Sequence, residues 1–215
     1  MPDPARLAAL RRDYTAAGLA EADLADSWHV QLARWLEDAV AADLTEPNAI
    51  TLATAAADGR PSARTVLLKS FDERGLTIFT NYGSRKAREL AANPHGSLVL
   101  AWVDLQRQVI ACGPVARVSG EESAAYFRSR PRGAQLSAWA SRQSEVIGSR
   151  RELEERRAEL EQRFAGGDVP VPDFWGGLRL APQTVEFWQG RPDRLHDRLR
   201  FRDDDGRWLV ERLNP

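Results

Sequence analysis

Near its C-terminus the chain runs Arg194-Leu195-His196-Asp197-Arg198-Leu199-Arg200-Phe201-Arg202. Read as a strand over 194–202, alternate side chains fall on opposite faces. Leu195, Asp197, Leu199 and Phe201 share one face, and Arg194, His196, Arg198, Arg200 and Arg202 share the other. Five potential cations in a row repel one another unless water or an anion screens them. Periodicity alone leaves both explanations open and favours water. Asp197 is the exception on the apolar face: if buried it needs a partner, which an adjacent arginine could supply.

Three further basic groups have spacings that suit anion binding. In Asn81-Tyr82-Gly83-Ser84-Arg85-Lys86 a glycine turn leads into a helix whose free N–H groups suit phosphate oxygens. A capped surface helix with basic residues near its start has the same spacing. Arg64-Thr65-Val66-Leu67-Leu68-Lys69 is an apolar strand bracketed by cations, which point to opposite faces unless a bulge intervenes. Tyr126 and Arg130 share a helix face one turn apart, and Pro131 ends that helix. Arg130 also complements the dipole of such a helix end. Of the 30 basic residues only Lys69 and Lys86 are lysines. Either the composition is arginine-biased throughout, or these positions want a compact ammonium.

Positioning these groups requires a folded chain, and 43% hydrophobic with 28% charged residues provides one. With 31 acidic residues against 30 basic, a general attraction to nucleic acid or anionic membrane is excluded, so any anion binding is local. No run of about 18 apolar residues occurs, and Met1-Pro2-Asp3-Pro4 lacks a signal-peptide pattern, so a cytoplasmic location is expected. Cys112 has no cysteine partner and sits in a strand-like run, where it should fill core. His29, His95 and His196 lack metal-ligand spacing, so no metal is expected. Gly-x-Gly-x-x-Gly, Walker and Gly-x-Ser-x-Gly motifs are missing, which weakens dinucleotide, nucleotide-hydrolase and covalent-nucleophile readings.

The patterns predict helices over 4–18 and 28–43, then strands at 49–55, 64–70, 75–80, 97–103 and 107–118, separated by turns such as Asp58-Gly59 and Arg74-Gly75. A short helix over 84–92, with Ser84 as N-cap and Asn93-Pro94 as stop, interrupts them. Two or three helices follow between Glu121 and Arg163, the last with a solvated charged face. Gly166-Gly167 and 170–177 read as loop, and strands resume at 183–189, 194–202 and 206–213. Strands on both sides of a helical insertion predict one α+β domain over 1–215, with an antiparallel, barrel-like sheet that the C-terminus returns to complete.

Taken in order, these segments resemble the pyridoxine/pyridoxamine 5'-phosphate oxidase family nearly end to end. The resemblance starts at Arg11-Arg12-Asp13-Tyr14-Thr15 and passes through 64–69, Phe79-Thr80-Asn81, Ser84-Arg85-Lys86 and Arg107-Gln108-Val109. It continues through Tyr126-Phe127, Ser129-Arg130-Pro131, Gln143-Ser144, Phe174-Trp175-Gly176-Gly177 and Glu186-Phe187-Trp188-Gln189-Gly190, and closes on Arg194-Leu195-His196-Asp197-Arg198.

The resemblance implies an FMN-binding split β-barrel, antiparallel and Greek-key-like with surrounding helices, working as a homodimer with FMN at the interface. It implies oxidation of pyridoxine and pyridoxamine 5'-phosphates to pyridoxal 5'-phosphate. A hydride passes from the substrate's C4' to the flavin, and O2 is reduced to H2O2. The amine substrate also releases ammonia.

By the family pattern Arg64, Thr65, Val66, Leu67, Leu68 and Lys69 bind FMN, as do Phe79, Thr80, Arg85 and Lys86. Gln108, Gln143, Ser144, Trp188 and Arg198 complete that set. Substrate falls to Arg11, Arg12, Asp13 and Tyr14, within an N-terminal arm or lid over 1–27, and to Lys69, Tyr126 and Arg130. Arg194, Leu195 and His196, in the C-terminal strands over 183–215, complete the substrate set, with Arg194 and His196 catalytic. Family context thus reverses the preference for water on the cationic face: Arg194 and His196 face substrate, Arg198 faces FMN, and Asp197 anchors the strand from the opposite side.

One departure stands out. Where the family usually presents a serine to the substrate phosphate, this chain has Ala134, within Gly133-Ala134-Gln135. Losing one neutral donor costs on the order of 1 kcal/mol, or about five- to tenfold in affinity. Ser137 is the nearest substitute. Flavin oxidases of phenazine biosynthesis look similar around 186–188 and 194–196 but tend to lack the counterparts of Lys69 and Ser129-Arg130-Pro131. A non-catalytic flavin- or haem-binding split barrel is the remaining alternative.

Overall fold

The computed structural model describes Leu10, residues 13–15 and residues 18–215. Backbone proximity divides the chain into two compact units. One comprises Met1–Ala49, Val99–Ala111 and Gln183–Pro215, and the other Ile50–Leu98 and Cys112–Pro182.

In the first unit, helix α1 (Trp28–Ala41) carries Trp28, Leu32, Trp35 and Ala39 on one buried face. That face covers an antiparallel meander of β8 (Thr184–Gln189), β9 (Asp197–Asp204) and β10 (Arg207–Arg212). Trp35 meets Phe187 edge-on at 5.2 Å, and Phe187 meets Phe201 at 5.8 Å. Asp205 and Gly206, with φ of 52° and 88°, close the β9–β10 hairpin in two residues, the geometry that an Asp-Gly pair favours. β8 runs beside β6 (Arg107–Arg117), so the C-terminal strands do return to sheet built earlier in the chain.

The second unit holds β1 (Ala49–Ala55) between β2 (Pro61–Leu67) and β5 (His95–Trp102). It also holds β3 (Ser70–Asp72), β4 (Gly75–Asn81) and β7 (Trp175–Leu180), hydrogen-bonded in the order β3-β4-β7-β6. Strands β5 and β6 contribute residues to both units, and Ala49 at the start of β1 belongs to the first. Helix α2 (Arg85–Ala92) is capped by Ser84, whose Oγ accepts from the Ala87 N–H. α3 (Gly120–Ser129) and α4 (Arg132–Ala140) bury Phe127 and Leu136 in one cluster with Val169 and Trp175. None of the residues of α5 (Arg150–Arg163) is buried, and i,i+4 pairs such as Arg150–Glu154 make up its solvated face.

Five expectations need correction. The strand expected at 64–70 ends at Leu67; the chain passes through buried Leu68 and restarts at Ser70 as β3. The stretch 170–177, read as loop, contains the start of β7. Its glycines mark close approach: a Cβ on Gly176 would lie 2.1 Å from the Tyr82 hydroxyl, and one on Gly177 would lie 2.5 Å from Val118. The strand expected from 194 begins only at Asp197, because Asp193 and Arg194 adopt φ of 53° and 62° in a turn opened by Pro192. Leu195 is therefore 71% exposed rather than on the apolar face. Of the helix expected over 4–18, Leu10, residues 13–15 and Gly18 are non-helical and the rest lies outside the described residues. Cys112 is half-buried rather than fully in the core, with Sγ 3.4 Å from Ser97 Oγ.

Gly75, with φ of 138°, turns β3 into β4 where a Cβ would lie 2.0 Å from the Leu180 carbonyl oxygen. Gly75→Ala should lower unfolding free energy by about 2–4 kcal/mol, measured by urea denaturation. A loss under about 0.5 kcal/mol, the range of neutral surface changes, would contradict this packing.

Candidate active site

The residues expected to hold cofactor and substrate fall into groups within each unit. In the second unit, β2 and the start of α2 gather Arg64, Arg85 and Lys86. Arg64 donates to the Leu52 carbonyl at 3.1 Å, to Thr54 Oγ1 at 2.6 Å and to Ser62 Oγ. Glu89, 7% exposed, ties this group together: it accepts from Thr54, Ser62, Arg64 and, at 2.8 Å, the Arg85 Nε. Burial alone would raise its pKa. Hydrogen bonds from Ser62, Thr54, Arg85 and Arg64 override that and hold it at about 2. The sequence reading missed Glu89; its i,i+4 relation to Arg85 was the available signal.

Lys86, also 7% exposed, is surrounded differently. Its Nζ stands 3.1 Å from Thr80 Oγ1 and 3.2 Å from Gln143 Oε1, both neutral. Burial, then repulsion from Arg64, lowers its pKa. The Arg85 N–H at the helix start donates to Ser144 Oγ at 3.1 Å. Three cations and a hydroxyl thus gather at the start of α2, chemistry that suits a phosphate-sized anion.

Beside Lys86 opens a cavity of 340 Å³. Its walls carry Val66, Leu67, Lys69, Phe79, Thr80, Lys86 and Gln143 from the expected cofactor set, and Lys69, Tyr126 and Arg130 from the expected substrate set. Sequence distance had hidden this convergence, since Lys69 and Gln143 lie far apart in the chain. Arg130 Nη1 is buried with no hydrogen-bond partner, and burial lowers the Arg130 pKa. Burial likewise raises that of Tyr126. A cavity wall with an orphaned guanidinium nitrogen, two lysines and planar aromatic faces suits an anionic planar molecule. Ser137, rather than Ala134, stands on the wall, with its hydroxyl donated to the Gly133 carbonyl at 2.8 Å. Thr65 is exposed on β2, and Leu68 turns its side chain into the core.

In the first unit a cavity of 460 Å³ is lined by Asp13, Tyr14, Arg194 and His196, with Arg191 and Asp193. Tyr14 meets His196 at 5.5 Å and Trp188 at 5.8 Å. His196 Nδ1 accepts the Arg191 backbone N–H at 3.1 Å, so in the neutral ring the proton sits on Nε2. Arg11 and Arg12 lie outside the described residues. Gln108 lies in β6.

The arginines of β9 are neutralised by the protein itself rather than by water or a ligand alone. Arg198 makes a two-pronged pair with Glu186 at 2.7 and 3.0 Å, which raises its pKa, and Arg200 and Arg202 both meet Glu211. Asp197 finds partners as expected, though not in its neighbour: Arg212 Nη1 at 2.8 Å and the Leu19 N–H at 3.0 Å.

Antiparallel strands in this order, with helices around them and an anion-suited cavity on the strands, define the FMN-binding split-barrel class. Residues 36–164 match the pyridoxamine 5'-phosphate oxidase family, and residues 175–215 match the pyridoxine 5'-phosphate oxidase C-terminal dimerisation region. The chain belongs to the pyridoxine/pyridoxamine 5'-phosphate oxidase family.

Relatives named pyridoxine/pyridoxamine 5'-phosphate oxidase from Rubrobacter xylanophilus and Frankia alni are each 59% identical to it, covering 100% of this chain and 100% and 90% of their own lengths. Among solved structures, PhzG from Burkholderia lata 383, in complex with tetrahydrophenazine-1-carboxylic acid, superposes with a TM-score of 0.87 at 34% identity. The match covers 93% of this chain and 99% of that one. A pyridoxamine 5'-phosphate oxidase-related, FMN-binding protein from Nostoc punctiforme PCC 73102 shares the fold, with a TM-score of 0.72 at 20% identity over 90% of this chain and 99% of that one. No helix among the described residues is long and apolar enough to cross a membrane.

Because the Glu89 pKa is depressed in the fold, its contribution to stability is present above its ordinary value of 4.5 and is lost as pH falls towards about 2. Glu89→Gln should therefore lower Tm at pH 7, with the gap to the native protein narrowing below pH 4.5. Melting curves across that range check this, and a gap independent of pH would contradict it.

Proposed function

We propose that this protein oxidises pyridoxine 5'-phosphate and pyridoxamine 5'-phosphate to pyridoxal 5'-phosphate, using FMN and O2, as a homodimer with FMN at the subunit interface. On this reading residues 1–215 act as one catalytic domain. The observation that carries it is the 340 Å³ cavity where Lys69, Tyr126 and the orphaned Arg130 nitrogen share walls with Phe79, Thr80, Lys86 and Gln143. The 59% identity to relatives named for this activity, over the whole chain, supports it.

When bound, FMN would accept a hydride from the substrate and return the electrons to O2 as H2O2. The protein's task is then orientation and electrostatics. Arg64, Arg85, Lys86 and Ser144, gathered at the start of α2, would receive the FMN phosphate. The strand backbone over 64–69, with Phe79, Thr80, Gln108, Gln143, Trp188 and Arg198, would hold the rest of the flavin. Lys69, Tyr126 and Arg130 would take the substrate phosphate, and Asp13 and Tyr14 would cover the substrate and limit access of water.

Arg194 and His196 would act at the substrate's C4' oxygen or nitrogen. Arg194 donates to developing negative charge there, and the His196 ring, oriented by the Arg191 N–H, holds or moves the proton. The positive φ of Arg194 lifts its side chain out of the strand pattern and onto the same cavity as His196.

Purified protein should carry or take up FMN and form pyridoxal 5'-phosphate and H2O2 from both substrates in air. Arg194→Ala and His196→Ala should each lower kcat/KM by about 10²-fold or more, with FMN affinity within about twofold of native. Bound FMN without product would leave a binding protein or an oxidase of another ring system. Unchanged turnover in both variants would overturn the site.

A further inference from the structure

Trp175 opens β7 and is 7% exposed, yet none of the expected binding sets includes it. Its ring serves two residues of the cavity at once. The Tyr126 ring lies within 6° of parallel to it at 6.2 Å, and Phe79 stacks on both, at 3.9 Å from Tyr126 and 5.6 Å from Trp175. The Arg130 guanidinium carbon stands 4.7 Å from the Trp175 centroid and 5.7 Å from that of Phe127. The same guanidinium carries the buried, unpartnered Nη1.

An indole face attracts a guanidinium more strongly than other aromatic faces, and more so when both are shielded from water. Stacking occupies the flat face of the cation and leaves its in-plane N–H groups as donors. The Trp175 backbone is itself fixed: its N–H donates to the Pro172 carbonyl at 3.0 Å, it pairs in register with Asn81, and the close-packed Gly176 follows it. Any large apolar side chain could fill the cluster of Phe127, Leu136 and Val169. Arg130 Nη1 has neither a carboxylate nor a neutral acceptor, so the electron-rich ring is what holds this cation in place.

We propose that Trp175 is a positioning residue for the phosphate end of the substrate. It holds the Arg130 guanidinium against the cavity with its donors free and keeps Tyr126 parallel beside it, and so sets the preference for phosphorylated over unphosphorylated ligands. This rests on the reading of the cavity as the substrate phosphate site.

The test uses full-length, FMN-loaded protein with Trp175→Phe, Trp175→Leu and Arg130→Ala, and titrates each with pyridoxal 5'-phosphate and with pyridoxal. The expected result is a fall of about tenfold in the ratio of the two affinities for Trp175→Leu and a smaller fall for Trp175→Phe. FMN affinity and pyridoxal binding should stay at native values. Should Trp175→Leu fail to fold, Trp175→Phe, which keeps the core filled, decides the matter. An unchanged ratio, or equal losses for both ligands, would reduce Trp175 to a core residue and overturn the proposal. If Arg130→Ala also left the ratio unchanged, the phosphate-site reading itself would fall. If Arg130→Ala lowered the ratio and the Trp175 variants did not, only the positioning role would fail.

Discussion

Cations held near one another and away from bulk water must each find a countercharge, a neutral acceptor or a polarisable face. In a chain with 30 basic residues this demand shapes both units. Glu89 answers it for Arg64 and Arg85, Glu186 for Arg198, Glu211 for Arg200 and Arg202, and Asp197 for Arg212. Lys86 and Arg130 are answered otherwise. Lys86 rests on the neutral oxygens of Thr80 and Gln143, and Arg130 on aromatic rings.

The carboxylate-paired arginines have their charge matched within the protein, whereas Lys86 and Arg130 line one cavity with theirs resting on neutral groups. Both carry a desolvation cost, which lowers their pKa. An arriving phosphate would relieve it, so ligand binding and stability are coupled through these two side chains.

The sequence carried much of this, through rules that operate locally. Helix α1 and strands β1, β4, β5 and β6 follow from apolar periodicity, and α2 from its Ser84 cap. The family motifs named Lys69, Phe79, Thr80, Lys86, Tyr126, Arg130 and Gln143, which one cavity wall then brings together. The failures are equally physical. β7 was hidden because Gly176 and Gly177 signal a turn in isolation, and only the facing Tyr82 and Val118 show that they permit close packing. The strand start at Asp197 was misplaced because two consecutive positive φ values cannot be read from Asp193-Arg194. Glu89 and Trp175 were missed because their roles depend on partners distant in sequence, such as Ser62 for one and Arg130 for the other.

Flavin-dependent oxidation of a phosphorylated B6 vitamer at this cavity is tested by mixing FMN-loaded protein with pyridoxamine 5'-phosphate under anaerobic conditions. The expected result is loss of the visible flavin absorbance with one pyridoxal 5'-phosphate formed per flavin, and return of the absorbance when O2 is admitted. Flavin that stays oxidised while the vitamer is bound would rule that reaction out.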